Sequence, residues 1–138
     1  MRGKAMLKIC NKLLDKGINL EEFTALEFFA REGAWQTKSY SNLVKTLYAW
    51  EIDQKFKKNL TLNHPNAFIQ IGDSFVLAKQ IEFKEKFDFL VFDNPQSIYN
   101  GYCEHFEALE NAYFLLKEFG IVIFNVNKNP FDYNPQSD

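Results

Sequence analysis

Four hydrophobic runs in this chain each close on an acidic residue, and the acids fall at nearly even spacing. They are Ala25-Leu26-Glu27, Leu47 to Glu51, Phe68 to Asp73 and Phe89 to Asp93. Short apolar runs bounded by turn signals read as buried strands. Each interval between acids holds a loop and a polar stretch of helix length, the crossover that a parallel pair of strands needs. All four carboxylates are then delivered to one edge of a parallel sheet. That carboxyl edge is where an open α/β sheet holds its ligand. A row of acids there can read hydroxyls, amines and a positive charge.

The remaining pattern fits around those strands. Met6, Leu7, Cys10, Leu13 and Leu14 share a face at helical spacing, so residues 1–18 are expected to carry an N-terminal helix that Gly17 stops. The first strand is expected over 25–29 and the second over 47–51. The third is expected over 68–71, the fourth over 87–92 and the fifth over 121–126. Helices are expected over about 37–45, 53–60 and 74–81. A longer helix should follow the fourth strand, striped by Tyr102, Phe106, Leu109, Tyr113 and Leu116 and ended by Gly120. Residues 127–138 read as a polar tail. Right-handed crossovers and a switch point beside the first strand give a doubly wound, mostly parallel five-stranded α/β sheet in the order 3-2-1-4-5. The chain reads as one domain. Its fifth strand is apolar, with no blunting charge, and forms an exposed edge that invites a second copy or another partner.

Composition narrows the function classes. The net charge of −2 gives no general attraction for nucleic acid or an anionic membrane surface. Lys55, Lys57 and Lys58 form a short basic run that reads as a solvated helix face, with a nucleic-acid contact as its alternative. Cys10 and Cys103 lack metal-type spacing, no apolar run reaches membrane-spanning length, and lysines interrupt the N-terminus; a cytoplasmic protein is expected. Aromatic content is high, with 15 Phe, 6 Tyr and 2 Trp, which predicts either a bulky core or apolar surface left for a partner. Trp35 and Trp50 read as packing residues, and His64 and His105 as solvated.

With the strands placed, residues 25–126 resemble the class I methyltransferases that use S-adenosylmethionine. The motifs are Leu26-Glu27-Phe28-Phe29-Ala30-Arg31-Glu32-Gly33, Tyr48-Ala49-Trp50-Glu51-Ile52-Asp53, Ile71-Gly72-Asp73-Ser74 and Phe89-Leu90-Val91-Phe92-Asp93-Asn94-Pro95. The resemblance implies a Rossmann-like fold and S-adenosylmethionine as cofactor. It implies cofactor contacts from Glu27, Phe29, Gly33, Glu51, Ile52, Asp73, Ser74 and Asp93, and catalytic roles for Asp93 and Asn94. Glu51 would accept from the ribose hydroxyls in charge-assisted hydrogen bonds. Asp73 would accept from the adenine amine, and Glu27 and Asp93 would flank the positively charged methionine end.

Three departures accompany the match. Arg31 stands where the middle glycine of the first turn belongs. In a left-handed conformation it would cost on the order of 1 kcal/mol. Its side chain would either occupy ligand space or fold over to the cofactor's carboxylate. Asp93-Asn94-Pro95-Gln96-Ser97 approaches the Asn-Pro-Pro-Tyr/Phe signature of base amino-group methylation but lacks the second proline and the aromatic. The family also adds two strands after the fifth, and no strand-like run follows Val126 here. The acceptor is left open. The alternative reading is a catalytically inactive, methyltransferase-like interaction subunit. A dinucleotide-binding domain is disfavoured because Gly-x-Gly-x-x-Gly is absent from the first turn.

Overall fold

A computed structural model describes residues 3–92 and 107–125. The expected sites Asp93 and Asn94 lie outside the described residues, as do Tyr102, Cys103, His105, Phe106 and the polar tail. In chain order the elements are α1 (Lys4–Asp15), β1 (Thr24–Phe28), α2 (Gln36–Tyr40), β2 (Thr46–Glu51), α3 (Lys57–Asn63), β3 (Phe68–Ile71), α4 (Ser74–Leu77), β4 (Phe87–Phe92), α5 (Ala112–Leu115) and β5 (Leu116–Phe124). Single 3-10 turns precede β1, α3, β4 and α5. The five strands form one parallel sheet in the order β3-β2-β1-β4-β5, as the spacing of the acidic runs predicts.

The sheet is covered on both faces because strand residues alternate. Ala25, Leu47, Phe89 and Val91 pack beneath Met6 and Cys10 of α1 and Tyr40 of α2. Leu60 of α3 sits on Ala30 and Ala49. On the opposite face Leu26, Phe28, Trp50, Leu90 and Phe92 meet Leu77 of α4, Phe83, and Ala112 and Leu115 of α5. Four of the aromatics form one band of rings. Trp50, Phe28, Phe92 and Phe124 lie side by side across four strands, with centroids 5.1, 4.4 and 4.9 Å apart. The register Phe28↔Phe92↔Phe124 places this band just below the carboxyl edge. The bulky core is thus realised, each ring pair adding to simple area burial.

Several boundaries differ from the sequence expectation. Phe29 has left β1 and belongs to the turn. The helix expected over 37–45 ends at Tyr40, because the N–H groups of Lys45 and Thr46 both turn in to donate to the Phe23 carbonyl. The helix expected to run to Gly120 ends at Leu115. Its last carbonyls, on Phe114 and Leu115, accept from the Glu85 and Lys86 N–H groups, and the chain extends at once into β5. The buried positions there are Ala108, Ala112 and Leu115, whereas Leu109 is exposed and Tyr113 is 93% exposed. Gly120 lies in an irregular stretch of β5, where Phe87 pairs with Leu116 but Phe89 pairs with Ile121. A Cβ at Gly120 would collide with the Leu116 side chain, so glycine admits the bulge. Because β5 starts at Leu116, its edge carries the exposed charges Lys117 and Glu118, which corrects the expectation of an uncharged edge.

Candidate functional site

The first turn runs from Phe29 to Gly33, and three of its residues are left-handed: Phe29 at φ 56°, Arg31 at φ 51° and Gly33 at φ 64°. Two of the three carry a Cβ, a conformation costing on the order of 1 kcal/mol each. The surroundings hold the turn in that shape. Ala30 N–H donates to the Trp50 carbonyl at 2.9 Å, tying the turn to the end of β2. Asn63 Nδ2 donates to the Glu32 carbonyl and His64 Nε2 to the Gly33 carbonyl, both at 2.7 Å. A carbonyl oxygen only accepts, so the His64 proton sits on Nε2.

His64 is therefore buried, at 6% exposure, and not the solvated loop residue that its place before Pro65 suggests. Its ring also explains Gly33. A Cβ there would come within 2.7 Å of the His64 ring and 2.8 Å of Leu60. The position reserved by glycine is filled by the protein itself. The sequence offers no signal for this pairing, since the partners are 31 residues apart.

Glu51 ends β2 and is buried at 5% exposure. Its Oε2 accepts from the Arg31 N–H at 2.6 Å and its Oε1 from the Asp53 N–H at 3.0 Å. A carboxylate has about four lone-pair positions, so each oxygen keeps one for a further donor. Ile52 beside it is exposed. Arg31 has partners within the turn and beyond it. Its guanidinium stacks 5.2 Å from the Phe56 ring centroid, with Nε 3.8 Å from Glu32 Oε2.

Gly72 N–H donates to the Glu51 carbonyl at 2.9 Å, bringing the end of β3 against the end of β2. Asp73 follows, exposed, and caps α4 by accepting from the Phe75 N–H at 2.9 Å through Oδ1. Ser74 is buried. Phe29, half-buried, reaches towards Phe75 at 6.4 Å between centroids. Glu51, Ile52, Asp73, Ser74 and Phe29 thus surround one stretch of the carboxyl edge.

Glu27 lies within β1, one residue before the strand's end. It is buried at 3% exposure, and the Tyr40 hydroxyl donates to its Oε2 at 2.7 Å. Asp53, whose carboxylate accepts from the Lys55 N–H and pairs with Lys55 Nζ at 3.1 Å, is held below the usual carboxylate pKa, chiefly by that backbone hydrogen bond. Lys55 is occupied by this pairing and by the Phe56 ring, while Lys57 and Lys58 are exposed.

Among solved structures the fold recurs in proteins of the methyltransferase class. A TehB-like SAM-dependent methyltransferase from Corynebacterium glutamicum matches with a TM-score of 0.60 at 13% identity, over 93% of this chain and 74% of that one. DesVI of Streptomyces venezuelae gives 0.66 at 16% identity, over 96% of this chain and 55% of its own. A Methanococcus maripaludis protein provisionally assigned as an S-adenosyl-L-methionine-dependent methyltransferase gives 0.62 at 14% identity, over 86% and 53%. The chain spans about half the length of the last two. No protein-family model matches the chain, and no curated protein matches it in sequence. Its fold is the Rossmann-like fold of class I methyltransferases. Among the described residues, no helix is long and apolar enough to cross a membrane.

Proposed function

We propose that the chain is an S-adenosylmethionine-dependent methyltransferase, or the cofactor-binding domain of one. The observation that carries this is the carboxylate of Glu51, fixed at the end of β2 by two backbone N–H groups yet keeping a lone pair on each oxygen. Such an acceptor suits a vicinal diol. Asp73, exposed one strand away, suits an amine through the oxygen its cap leaves over. Ile52 supplies an apolar surface for a flat ring. The adenosine half of the cofactor therefore fits the residues present. When bound, the cofactor supplies an electrophilic methyl group on a sulfonium. The chain's part is to orient it and to complement its charge, the terms that dominate such a transfer. For Asp93 and Asn94 the proposal rests on their motif alone.

Calorimetry with S-adenosylhomocysteine tests the reading. A dissociation constant in the micromolar range is expected. Glu51→Gln keeps one acceptor oxygen for the turn but removes the charge, and should weaken binding about tenfold. Folded protein that takes up no ligand at millimolar concentration refutes it.

Two observations favour a second reading, the inactive interaction subunit. Glu27 is engaged by Tyr40, and Arg31 stacks on Phe56 across the turn next to Glu51. That reading expects no cofactor binding together with a stable homodimer or hetero-complex. A monomer in light scattering that binds S-adenosylhomocysteine excludes it.

A further inference from the structure

Among the described residues β3 is an edge strand, bonded to β2 alone. The Gly72 N–H donates to the Glu51 carbonyl, and Glu51 stands opposite Ile71 in the ladder. Backbone groups of successive strand residues turn to opposite sides. Gln70 and Gly72 therefore face β2, while Ile69 and Ile71 turn their N–H and C=O groups outward. An open row of that kind is a template for another strand unless charge, proline or a bulge blunts it. From Ala67 to Gly72 there is no charged residue and no proline, and the register with β2 is unbroken. The other edge strand, β5, exposes Lys117 and Glu118. Apolar exposure is concentrated on the β3 side of the sequence. Seven large apolar residues are more than half exposed among the described ones. Five of them, Ile52, Leu62, Phe68, Val76 and Ile81, come from the stretch between β2 and β4 that has β3 at its middle. Such residues mean little when scattered singly, but a concentration in the segments flanking an open edge marks an interface.

The spacing of the outward groups selects the occupant. Ala67, the next outward residue towards the N-terminus, already donates its N–H to the His64 carbonyl at 3.1 Å. That leaves Ile69 and Ile71, and the same strand running the other way matches them. A two-fold axis through Gln70, perpendicular to the sheet, sets Ile69 opposite the partner's Ile71 and Ile71 opposite the partner's Ile69. Facing residues of that type exchange both of their N–H···O=C bonds. The outward groups of β3 are then satisfied. The side chains suit this register. Ile69 lies on the α3 face with Ala49 and Leu60 and gains a cross-strand isoleucine there. Phe68, stacked on Tyr48 at 4.9 Å, stands opposite the partner's Gly72, which has no side chain to oppose the ring and lies beside Leu77. Gln70 is exposed and faces its own copy, and an amide both donates and accepts.

We propose that β3 pairs antiparallel with the β3 of a second copy about an axis at Gln70, joining two five-stranded sheets into one. The pairing rests on this edge and holds with or without cofactor. Sedimentation velocity of the full chain should show a dimer with a dissociation constant of about 10 µM or tighter. Gln70→Lys changes an exposed side chain and sets two like charges face to face. It should weaken the dimer about tenfold or more while the circular dichroism stays that of wild type. Residues facing each other across the axis have Cα atoms about 4.5 Å apart, within reach of a disulfide. In a Cys103→Ser background, Gln70→Cys should therefore give a disulfide-linked dimer on mild oxidation, and Phe68→Cys should not. Should Gln70→Lys fail to fold, the cross-link decides alone. A monomer at about 100 µM, a dimer indifferent to Gln70→Lys, or cross-linking as ready at Phe68→Cys as at Gln70→Cys overturns the inference. A dimer that takes up no S-adenosylhomocysteine keeps the pairing and refutes the function proposed above. A monomer that binds it does the converse.

Discussion

Gly33 lies in the turn where a motif puts it, and its identity has a second cause there. The family pattern assigns it to the cofactor turn. In the structure its hydrogen faces the His64 ring and Leu60, and its φ is 64°. Gly33→Ala should therefore cost roughly 2–4 kcal/mol, combining left-handed strain with overpacking. Gly17 is the control. It is also left-handed, at φ 82°, but nothing lies within 4 Å of its missing Cβ, so Gly17→Ala should cost only about 1 kcal/mol. Urea denaturation of the two variants measures the difference; equal costs would show that His64 gives way. Part of the site was legible here and part was not. The strand-end acids are local facts, and Glu51 and Asp73 fall where the pattern puts them. The His64 contact and the Tyr40 hydroxyl on Glu27 arise only when distant segments pack, and no spacing in the sequence encodes them.

At the scale of elements, the sequence pattern served strands better than helices. The strand runs are nearly uniform in apolar content, and all five are found. Ahead of β5 the expected stripe fails at Leu109 and Tyr113, which are exposed, while Leu116 does pack against the core. Among the described residues the face that packs on the sheet is built from Ala108, Ala112 and Leu115, in one core with Leu90 and Phe92. At α1 the stripe is partly right. Met6 and Cys10 are buried and Leu13 packs against them, while Leu7 and Leu14 stay exposed at the flanks. Gly17 closes that helix as expected, with Ile18 N–H bonded to the Leu13 carbonyl and Gly17 N–H to Leu14. Burial raises the Cys10 thiol pKa above its ordinary 9.0. A raised folded value means that its contribution to stability is intact below the unfolded pKa and is lost as pH rises through the folded one. The same burial withholds the thiolate that alkylates. Iodoacetamide at pH 8 should modify Cys10, read by peptide mass spectrometry, only after unfolding in urea. Modification at the unfolded rate in native protein would mean that α1 opens freely from the sheet.

For the molecule as a whole, the edge opposite the candidate site decides how the strands are held in register. Asp88 interrupts the apolar run of β4. Its Oδ2 accepts from the Thr24 N–H at 2.8 Å and faces Lys117 Nζ at 3.3 Å, so one carboxylate joins the starts of β1, β4 and β5. The irregularity between Phe87 and Phe89 falls at this residue, and Phe87 and Phe89 pack in the cores of opposite faces. Three substitutions separate the components. Asp88→Ala leaves the part-buried Thr24 N–H without an acceptor and should cost about 1–3 kcal/mol. Asp88→Asn retains an acceptor oxygen for Thr24 and loses only the charge. Lys117→Ala removes a half-exposed ion pair, and pairs of that kind contribute about 0–1 kcal/mol. The expected order of loss in chemical denaturation is Asp88→Ala well above Asp88→Asn, with Asp88→Asn close to Lys117→Ala. Raising the salt concentration should narrow the gap between wild type and Lys117→Ala and leave the Asp88→Ala deficit largely in place, because screening acts on the exposed pair and not on the hydrogen bond. If Asp88→Asn is as damaging as Asp88→Ala, the charge and not the Thr24 hydrogen bond joins the three strands, and the register of β1 against β4 must come from the Phe28–Phe92–Phe124 band at the other edge.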